Sequence, residues 1–248
     1  MTTPQLHAVV TGASSGIGAA TVKRLIAAGW RVTAVARRAE RLEALAAQTG
    51  CDVVVADITS DADVDELAHS VEQPVHALVN NAGGAVGWEL IADAPLEAWT
   101  QQYALNVVGT VRVTQALLPA LCDSGRGDVV NVTSTAGHEP YEYGGGYVAA
   151  KHAEAAMTRT LRLELTGTGV RVIEIAPGMV HTEEFSLNRF AGDGERADQV
   201  YAGIEPLMAD DVADTIEYAL TRPHHVNIDL LVVRPREQGG ATKTVRRD

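Results

Sequence analysis

The chain alternates short apolar runs with longer helical patterns, and that alternation restricts its fold more than any single residue does. Leu6 to Val10, Arg31 to Ala36, Asp52 to Val55, Ala77 to Val79, Asp128 to Val132, Arg171 to Ile175 and Ile228 to Val233 read as seven strands. Gly16 to Ala28, Ala39 to Gln48, Asp61 to Ser70, Leu96 to Cys122, Tyr147 to Thr166 and Asp211 to Leu220 carry helical spacing between them. Parallel strands need a crossover, and a crossover helix packs back onto its sheet. The pattern therefore predicts an α/β fold with one doubly wound parallel sheet of about seven strands and helices on both faces. The rhythm fails between 177 and 206, where Pro, Gly, Asp and Glu interrupt isolated apolar residues. It fails again from Gln238 to Asp248, which is expected to be a loose tail with Lys243, Arg246 and Arg247 in solvent.

At 248 residues with 46% hydrophobic content, the chain reads as a single domain over residues 1–237. Twenty Lys and Arg against 32 Asp and Glu give a formal net charge of −12, spread along the chain, which argues against nucleic acid as a partner. Cys51 and Cys122 form no CxxC pair, and the N-terminus has no charged stretch followed by an apolar one. No uninterrupted apolar run approaches the ~20 residues of a membrane span. The expectation is a reduced, cytoplasmic protein with no membrane partner. His224 and His225 are neighbours, but no His/Asp/Glu cluster has metal-ligand spacing, so no metal site is predicted. Ser14, Ser15 and Ser134 make no Gly-x-Ser-x-Gly elbow, which argues against a hydrolase.

Two motifs carry chemistry. Thr11-Gly12-Ala13-Ser14-Ser15-Gly16-Ile17-Gly18 follows a strand and opens a helix, so its glycines let backbone N–H groups approach a pyrophosphate at the positive helix end. Such a turn can also be purely structural. Tyr147 and Lys151 stand four residues apart, on one helix face. An ammonium near a phenol favours the phenolate and lowers its pKa from ~10, toward a value useful for exchanging a proton with a substrate hydroxyl. Taken alone, that spacing also describes an ordinary surface pair.

The glycine turn, Asn80-Asn81-Ala82-Gly83, Asn106, Ser134, Tyr147, Lys151 and Pro177-Gly178 occur in one order and at intervals that together resemble the short-chain dehydrogenase/reductase family over roughly residues 6 to 235. The resemblance implies a Rossmann-type sheet, a nicotinamide cofactor and a catalytic group of Asn106, Ser134, Tyr147 and Lys151. Ser134 would hold the substrate oxygen, at the end of its strand where open α/β sheets bind ligands. Tyr147 would exchange the proton, Lys151 would also hold the nicotinamide ribose, and Asn106 would anchor a water. Gly12, Ser14, Ser15, Gly16, Ile17, Gly18, Asn80, Asn81, Ala82, Gly83, Pro177, Gly178, Val180 and Thr182 become expected cofactor-binding residues, together with Tyr147 and Lys151.

Cofactor choice turns on the end of the second strand. NAD-binding relatives place an acidic residue there, whereas this chain has Ala36 followed by Arg37 and Arg38. A charge-assisted bond to a 2′-phosphate contributes ~1.5–3 kcal/mol, so the expected cofactor is NADP. The alternative is that the arginines merely begin an exposed helix, and Ser14 and Ser15 stand where many NADP-dependent relatives carry a basic residue. Asp57 and Ile58 match the pair that holds adenine, although Asp57 could equally cap the next helix.

Stretches such as Gly167 to Val172, Pro177 to Val180 and Pro223 to Ile228 resemble the NADP-dependent 3-hydroxy acid (serine-type) dehydrogenases and, related to them, reductases of clavulanate-type aldehydes. The expected reaction is hydride transfer between NADP(H) and a small polar hydroxy or oxo compound, a 3-hydroxy acid among the options, by a homo-oligomer (tetramer or dimer). A broad ketone or 3-oxoacyl reductase is the alternative; a non-catalytic cofactor sensor is disfavoured, since Tyr147 and Lys151 are both present. Residues 179–208, with Gly192, Gly194 and Gly203, read as a mobile lid too irregular for a sheet element. Within it Arg189 is either a clamp for a substrate carboxylate or the ion-pair partner of Glu183, Glu184 or Asp193. Glu139 and Glu142 beside the serine would instead receive a neutral or cationic substrate. Trp88 and Trp99 read as packing residues, with Trp88 also placed to line the cleft.

Overall fold

The computed structural model describes residues 5–247. Seven parallel strands form one sheet: β1 (His7–Thr11), β2 (Arg31–Ala36), β3 (Asp52–Val55), β4 (Ala77–Asn80), β5 (Gly127–Val132), β6 (Val170–Pro177) and, last in sequence, β9 (Leu230–Val233). Their spatial order is β3-β2-β1-β4-β5-β6-β9, so the winding reverses between β1 and β4, and at that reversal the strand ends open a crevice. Helices α1 (Gly16–Ala27), α2 (Ala39–Thr49), α3 (Asp61–Ser70), α4 (Leu96–Tyr103), α5 (Thr110–Asp123), α6 (Gly145–Glu164) and α9 (Ala209–Leu220) cover the sheet.

The side-chain period of two assigns each strand residue to a face. Val10, Val79, Val130 and Ile173 pack with Val22 and Leu25 of α1 and Ile216 and Leu220 of α9. Val9, Leu78, Val129 and Val172 pack with Leu67 of α3 and Val113, Leu117 and Leu121 of α5. Both faces are apolar because both are covered, which is why the strands read as continuous apolar runs rather than alternating ones. Leu25 is fully buried between α1 and α9, and its truncation to alanine would cost ~2–5 kcal/mol.

The stretch expected as one helix from Leu96 to Cys122 is α4 and α5 joined by a π-helical turn, Ala104–Gly109. By length and apolarity alone it would pass as a membrane span, yet Val113, Leu117 and Leu121 are buried against the sheet. The wide turn coincides with Asn106, whose Nδ2 donates to Gln102 O (2.8 Å) and Gly84 O (2.9 Å) while its Oδ1 accepts from Gly84 N (3.1 Å).

Two expectations are corrected. The region 179–208 does contain sheet structure: β7 (Val180–His181) and β8 (Leu207–Met208) pair in parallel and bracket α7 (Phe185–Arg189) and α8 (Gly194–Gln199). The segment after Glu237 is strapped down rather than loose. The Gln238 side-chain oxygen accepts from Met179 N (2.9 Å), and Ala241 N donates to Glu139 Oε2 (2.7 Å). Arg247 N donates to Gly203 O (2.7 Å), and Arg246 Nη2 to Val200 O (3.1 Å). Such anchoring runs through backbone groups and polar side chains and needs no apolar period. Asp248, the last residue of the expected tail, lies outside the described residues.

Candidate active site

A cleft of about 920 Å³ opens at the carboxyl ends of the strands, where the sheet order reverses. Its floor at one end is the turn between β1 and α1. Gly12 has φ +66°, and a Cβ there would come within 2.8 Å of Ala82 Cα, so only glycine lets this turn lie against the one after β4. Gly18 does the same for α1, since a Cβ would meet Gly12 O at 2.4 Å. Asn81 ties the two turns together, its Nδ2 donating to Thr11 O at 3.1 Å.

Gly12, Ser14, Ser15, Gly16, Ile17, Arg37, Arg38, Asp57, Ile58, Asn81, Ala82 and Gly83 line one half of the cleft. Ser134, Tyr147, Lys151, Pro177, Gly178, Val180, Thr182 and Arg189 line the other. Three of the expected site residues stand behind it. Gly18 is the packing glycine just described. Asn80 turns its side chain into the core, donating to Thr114 Oγ1 and Asn131 Oδ1 at 2.9 Å each, rather than toward a ligand. Asn106 is fully buried and braces the Gly84 backbone.

The basic corner has more order than the sequence indicated. Arg38 donates to Ser14 Oγ (2.7 Å) and Ser15 Oγ (3.0 Å) and is ion-paired with Glu184, in the segment between β7 and α7. Ser15 Oγ also donates to Glu184 Oε2 at 3.0 Å, and Arg41 Nη1 lies 3.2 Å from Glu184 Oε1. The Arg38 bond above all holds the Glu184 carboxyl below its ordinary range. Arg37 is largely exposed, 3.7 Å from Asp57 Oδ2. Burial alone would raise the Asp57 pKa, but bonds from the Thr59 N–H (2.9 Å) and hydroxyl (2.7 Å) hold it low. The cap of α3 is Ser60, which accepts from Asp63 N, so Asp57 is left to face the cleft.

At the other end Ser134 sits just past β5, its Oγ accepting from Ala136 N at 3.1 Å. Tyr147 is buried, with Phe185 of α7 edge-on to its ring at 5.6 Å. Lys151 Nζ donates to Val132 O at 3.1 Å. Over this end hangs Arg189 of α7, 9% exposed, its guanidinium 4.3 Å from the Trp88 ring centroid and 5.7 Å from that of Tyr147. Its Nη1 donates to Tyr141 Oη at 3.0 Å, while Nη2 is buried without a partner. The ion pairs weighed for Arg189 are assigned elsewhere: Glu183 meets Arg41, Glu184 meets Arg38 and Arg41, and Asp193 accepts from Arg196 N. Glu139 is taken by Arg234 and Ala241 N, and Glu142 is exposed.

Sequence reasoning offered Glu184 only as a partner for Arg189 and assigned no role to Tyr141, Tyr143 or Phe185. Trp88 stacks on Tyr141 (6.0 Å) and Tyr143 (5.9 Å), and Tyr143 adopts a φ of 62°, uncommon for a bulky residue. The density of aromatics between 141 and 147 was the available signal.

Comparison with known proteins agrees with this geometry. The short chain dehydrogenase family matches residues 6–189. An uncharacterized oxidoreductase of Mycobacterium tuberculosis is 58% identical over 95% of this chain and 93% of its own. Sulfoacetaldehyde reductase 2 of Chromohalobacter salexigens is 40% identical over 97% of this chain and 98% of its own. The closed form of a serine dehydrogenase complexed with NADP+ superposes with a TM-score of 0.93 at 36% identity, over 98% of this chain and all of that one. A glycine turn cradled by Ala82, a serine, a tyrosine and a lysine lining one cleft, and a family match over three quarters of the sequence lead to one conclusion: the chain belongs to the short-chain dehydrogenase family of oxidoreductases.

Proposed function

We propose that this oxidoreductase interconverts an alcohol and a carbonyl in a small hydroxy or oxo acid, with NADP(H) as cofactor and Tyr147 as the proton-exchanging group. The cleft fits a dinucleotide: the glycine turn exposes backbone N–H groups, Arg37, Arg38, Ser14 and Ser15 supply donors for a phosphate, and Asp57 with Ile58 flank the adenine end. Val180 lines the same cleft, and Thr182 packs over the turn, its Cγ2 lying 3.3 Å from where a Cβ on Gly16 would be. When bound, the nicotinamide supplies the hydride acceptor or donor. The chain's own part is positional and acid–base. Ser134 Oγ, fixed by Ala136 N, offers its hydroxyl to the substrate oxygen. Tyr147 gives that oxygen a proton in reduction and takes one in oxidation. Lys151, one helical turn on from Tyr147 along α6, presents its ammonium at the same cleft. Phe185 and Trp88 exclude water from the same end. Residues 179–208 act as the lid over both partners, and the working unit spans residues 1–237 with its C-terminal strap.

The observation that carries the substrate class is Arg189: a buried guanidinium beside the tyrosine, held by aromatic faces, with one nitrogen unpartnered. A carboxylate or sulfonate two or three bonds from the reacting carbon would satisfy it bidentately. The sulfonate of the aldehyde in one relative's name and the carboxylate of the serine in another's are both small anionic groups of this kind. The reading is tested with Arg189→Ala on a 3-hydroxy acid and on a neutral alcohol of similar size. A KM rise of roughly ten- to hundredfold for the acid alone is expected from losing a charge-assisted bond. Equal changes on both substrates would reject the clamp.

We also read the enzyme as a cytoplasmic homo-oligomer. Leu96 and Leu163, 77% and 78% exposed on α4 and α6, support burial against another copy, and two free cysteines support a reducing compartment. Sedimentation velocity that returns a monomer would reject the oligomer.

A further inference from the structure

A buried carboxylate that the reaction above leaves unused lies against the active-site lysine. Glu154 follows Lys151 by three residues on α6, is 1% exposed, and places Oε2 2.6 Å from Lys151 Nζ. Lys151 is itself 4% exposed, and its bond to Val132 O fixes a second of its three donors. One donor remains for the cleft that Lys151 lines. The other charged groups around the pair are few. Tyr147 stands on the same helix, with Arg189 over its ring, and Glu174 of β6 is occupied by His138 Nε2 and Thr133 Oγ1, both at 2.8 Å. The π-helical turn and α5 contribute the neutral Asn106 and Thr110.

Stability does not explain such a pair, because a buried ion pair is often matched or bettered by apolar side chains of the same volume. Its effect on charge does. An ammonium removed from water loses its proton readily, and a fully buried lysine without a partner falls by as much as 3–5 pKa units. Around Lys151 burial pushes downward, the Glu154 charge and then the Tyr147 oxygen push upward, and the result is upward. Burial pushes Glu154 upward while Lys151 opposes it.

We propose that Glu154 is a positioning residue: its carboxylate is the counterion that keeps Lys151 charged inside the protein and fixes where its ammonium points. The role rests on reading Lys151 as the partner of Tyr147, but its test does not depend on turnover. In Glu154→Gln the lysine loses its counterion, so its folded pKa drops below the unfolded value of ~10.4. Between those values the unfolded chain binds more protons, and stability rises with pH. Without any cofactor, Glu154→Gln should melt roughly 10 °C below the parent at neutral pH, with the gap narrowing toward pH ~10. Adding Lys151→Met to the variant should abolish that narrowing. A gap constant across pH would overturn the counterion role and leave a packing role.

With substrate, the alkaline limb of alcohol oxidation should move to lower pH by at least about one unit, because the ammonium is lost sooner. An unmoved limb would overturn the positioning role even if the melting result held. If Glu154→Gln fails to fold, Glu154→Asp, which keeps the charge one methylene further away, should show smaller shifts of the same sign; no shift in either readout would overturn the proposal. Failure of the proposed reaction itself would appear separately, as an active Tyr147→Phe, and would leave the melting curves untouched.

Discussion

Glu184 already occupies the charge that an anionic cofactor group would seek. Its carboxylate bridges Arg38 and Ser15, with Arg41 3.2 Å away. For NADP+ to use Arg38, this carboxylate must share the guanidinium or leave it. Two unit anions on one guanidinium sit on the order of 5 Å apart, which at an effective dielectric near 20 means ~3 kcal/mol of repulsion. The site is partly wet, with Arg38 42% and Glu184 23% exposed, and salt screens such pairs. A net ~1 kcal/mol is the reasonable figure. Glu184→Gln keeps the shape and a bond to Ser15 while removing the charge. It should therefore tighten NADP+ about fivefold and leave NAD+, which lacks the 2′-phosphate, nearly unchanged. Calorimetric titration of both nucleotides at low and high salt measures this, with the NADP+ gain shrinking at high salt. Weaker NADP+ binding, or an equal change for both nucleotides, would refute the competition and make Glu184 an organiser of Arg38 instead.

Tyr147→Phe should lose at least about a hundredfold in turnover while nucleotide binding survives, since the ring packing against Phe185 is kept and only the hydroxyl goes; single-turnover kinetics with a binding titration check this. Arg37→Ala with Arg38→Ala should weaken NADP+ about tenfold and spare NAD+, an estimate at the low end because both side chains are exposed. Acid should destabilise the fold through His7, whose rings of contact are Glu72 O (2.9 Å) and Thr33 Oγ1 (2.9 Å) and whose pKa burial lowers. His76, also lowered by burial, accepts from His7 N. With the folded pKa depressed, the unfolded chain binds more protons below ~6.5, so Tm should fall as pH drops from about 6.5 to about 5, and His7→Gln should flatten that slope.

The sheet was legible because its strands are buried on both faces: Val9 and Val10 point to opposite sides, yet each meets a helix, so the run stays apolar throughout. The residues that line the cleft were legible where they cluster in sequence, as from Gly12 to Ile17 and at Tyr147 and Lys151. What stayed hidden depends on partners distant in the chain. Glu184 gains its meaning from Arg38, 146 residues away, and Ser15, 169 away. Glu154 is one more acidic residue on a helix until Val132 and the buried lysine are placed beside it. β7 and β8 are two residues each, too short to leave a period, and they form only because residues 182–206 return the chain to itself. Asn106 lies within the helical spacing from Leu96 to Cys122, and that spacing did not reveal a wide turn there gripping Gly84.

The strap formed by residues 238–247 turns the chain's end into a handle on the active site. It holds residues 179–208 near both ends of that segment, through Gln238 at Met179 and through Arg246 and Arg247 at Val200 and Gly203. A tag, fusion partner or surface linkage joined beyond it would pull on the substrate chamber, so immobilised or tagged preparations should be attached through the other terminus. The same linkage gives the experimenter a reporter: if nucleotide draws residues 179–208 over the cleft, a dye on exposed Lys243, outside the cleft but inside the strap, should change its emission, and an unchanged signal would argue against that movement.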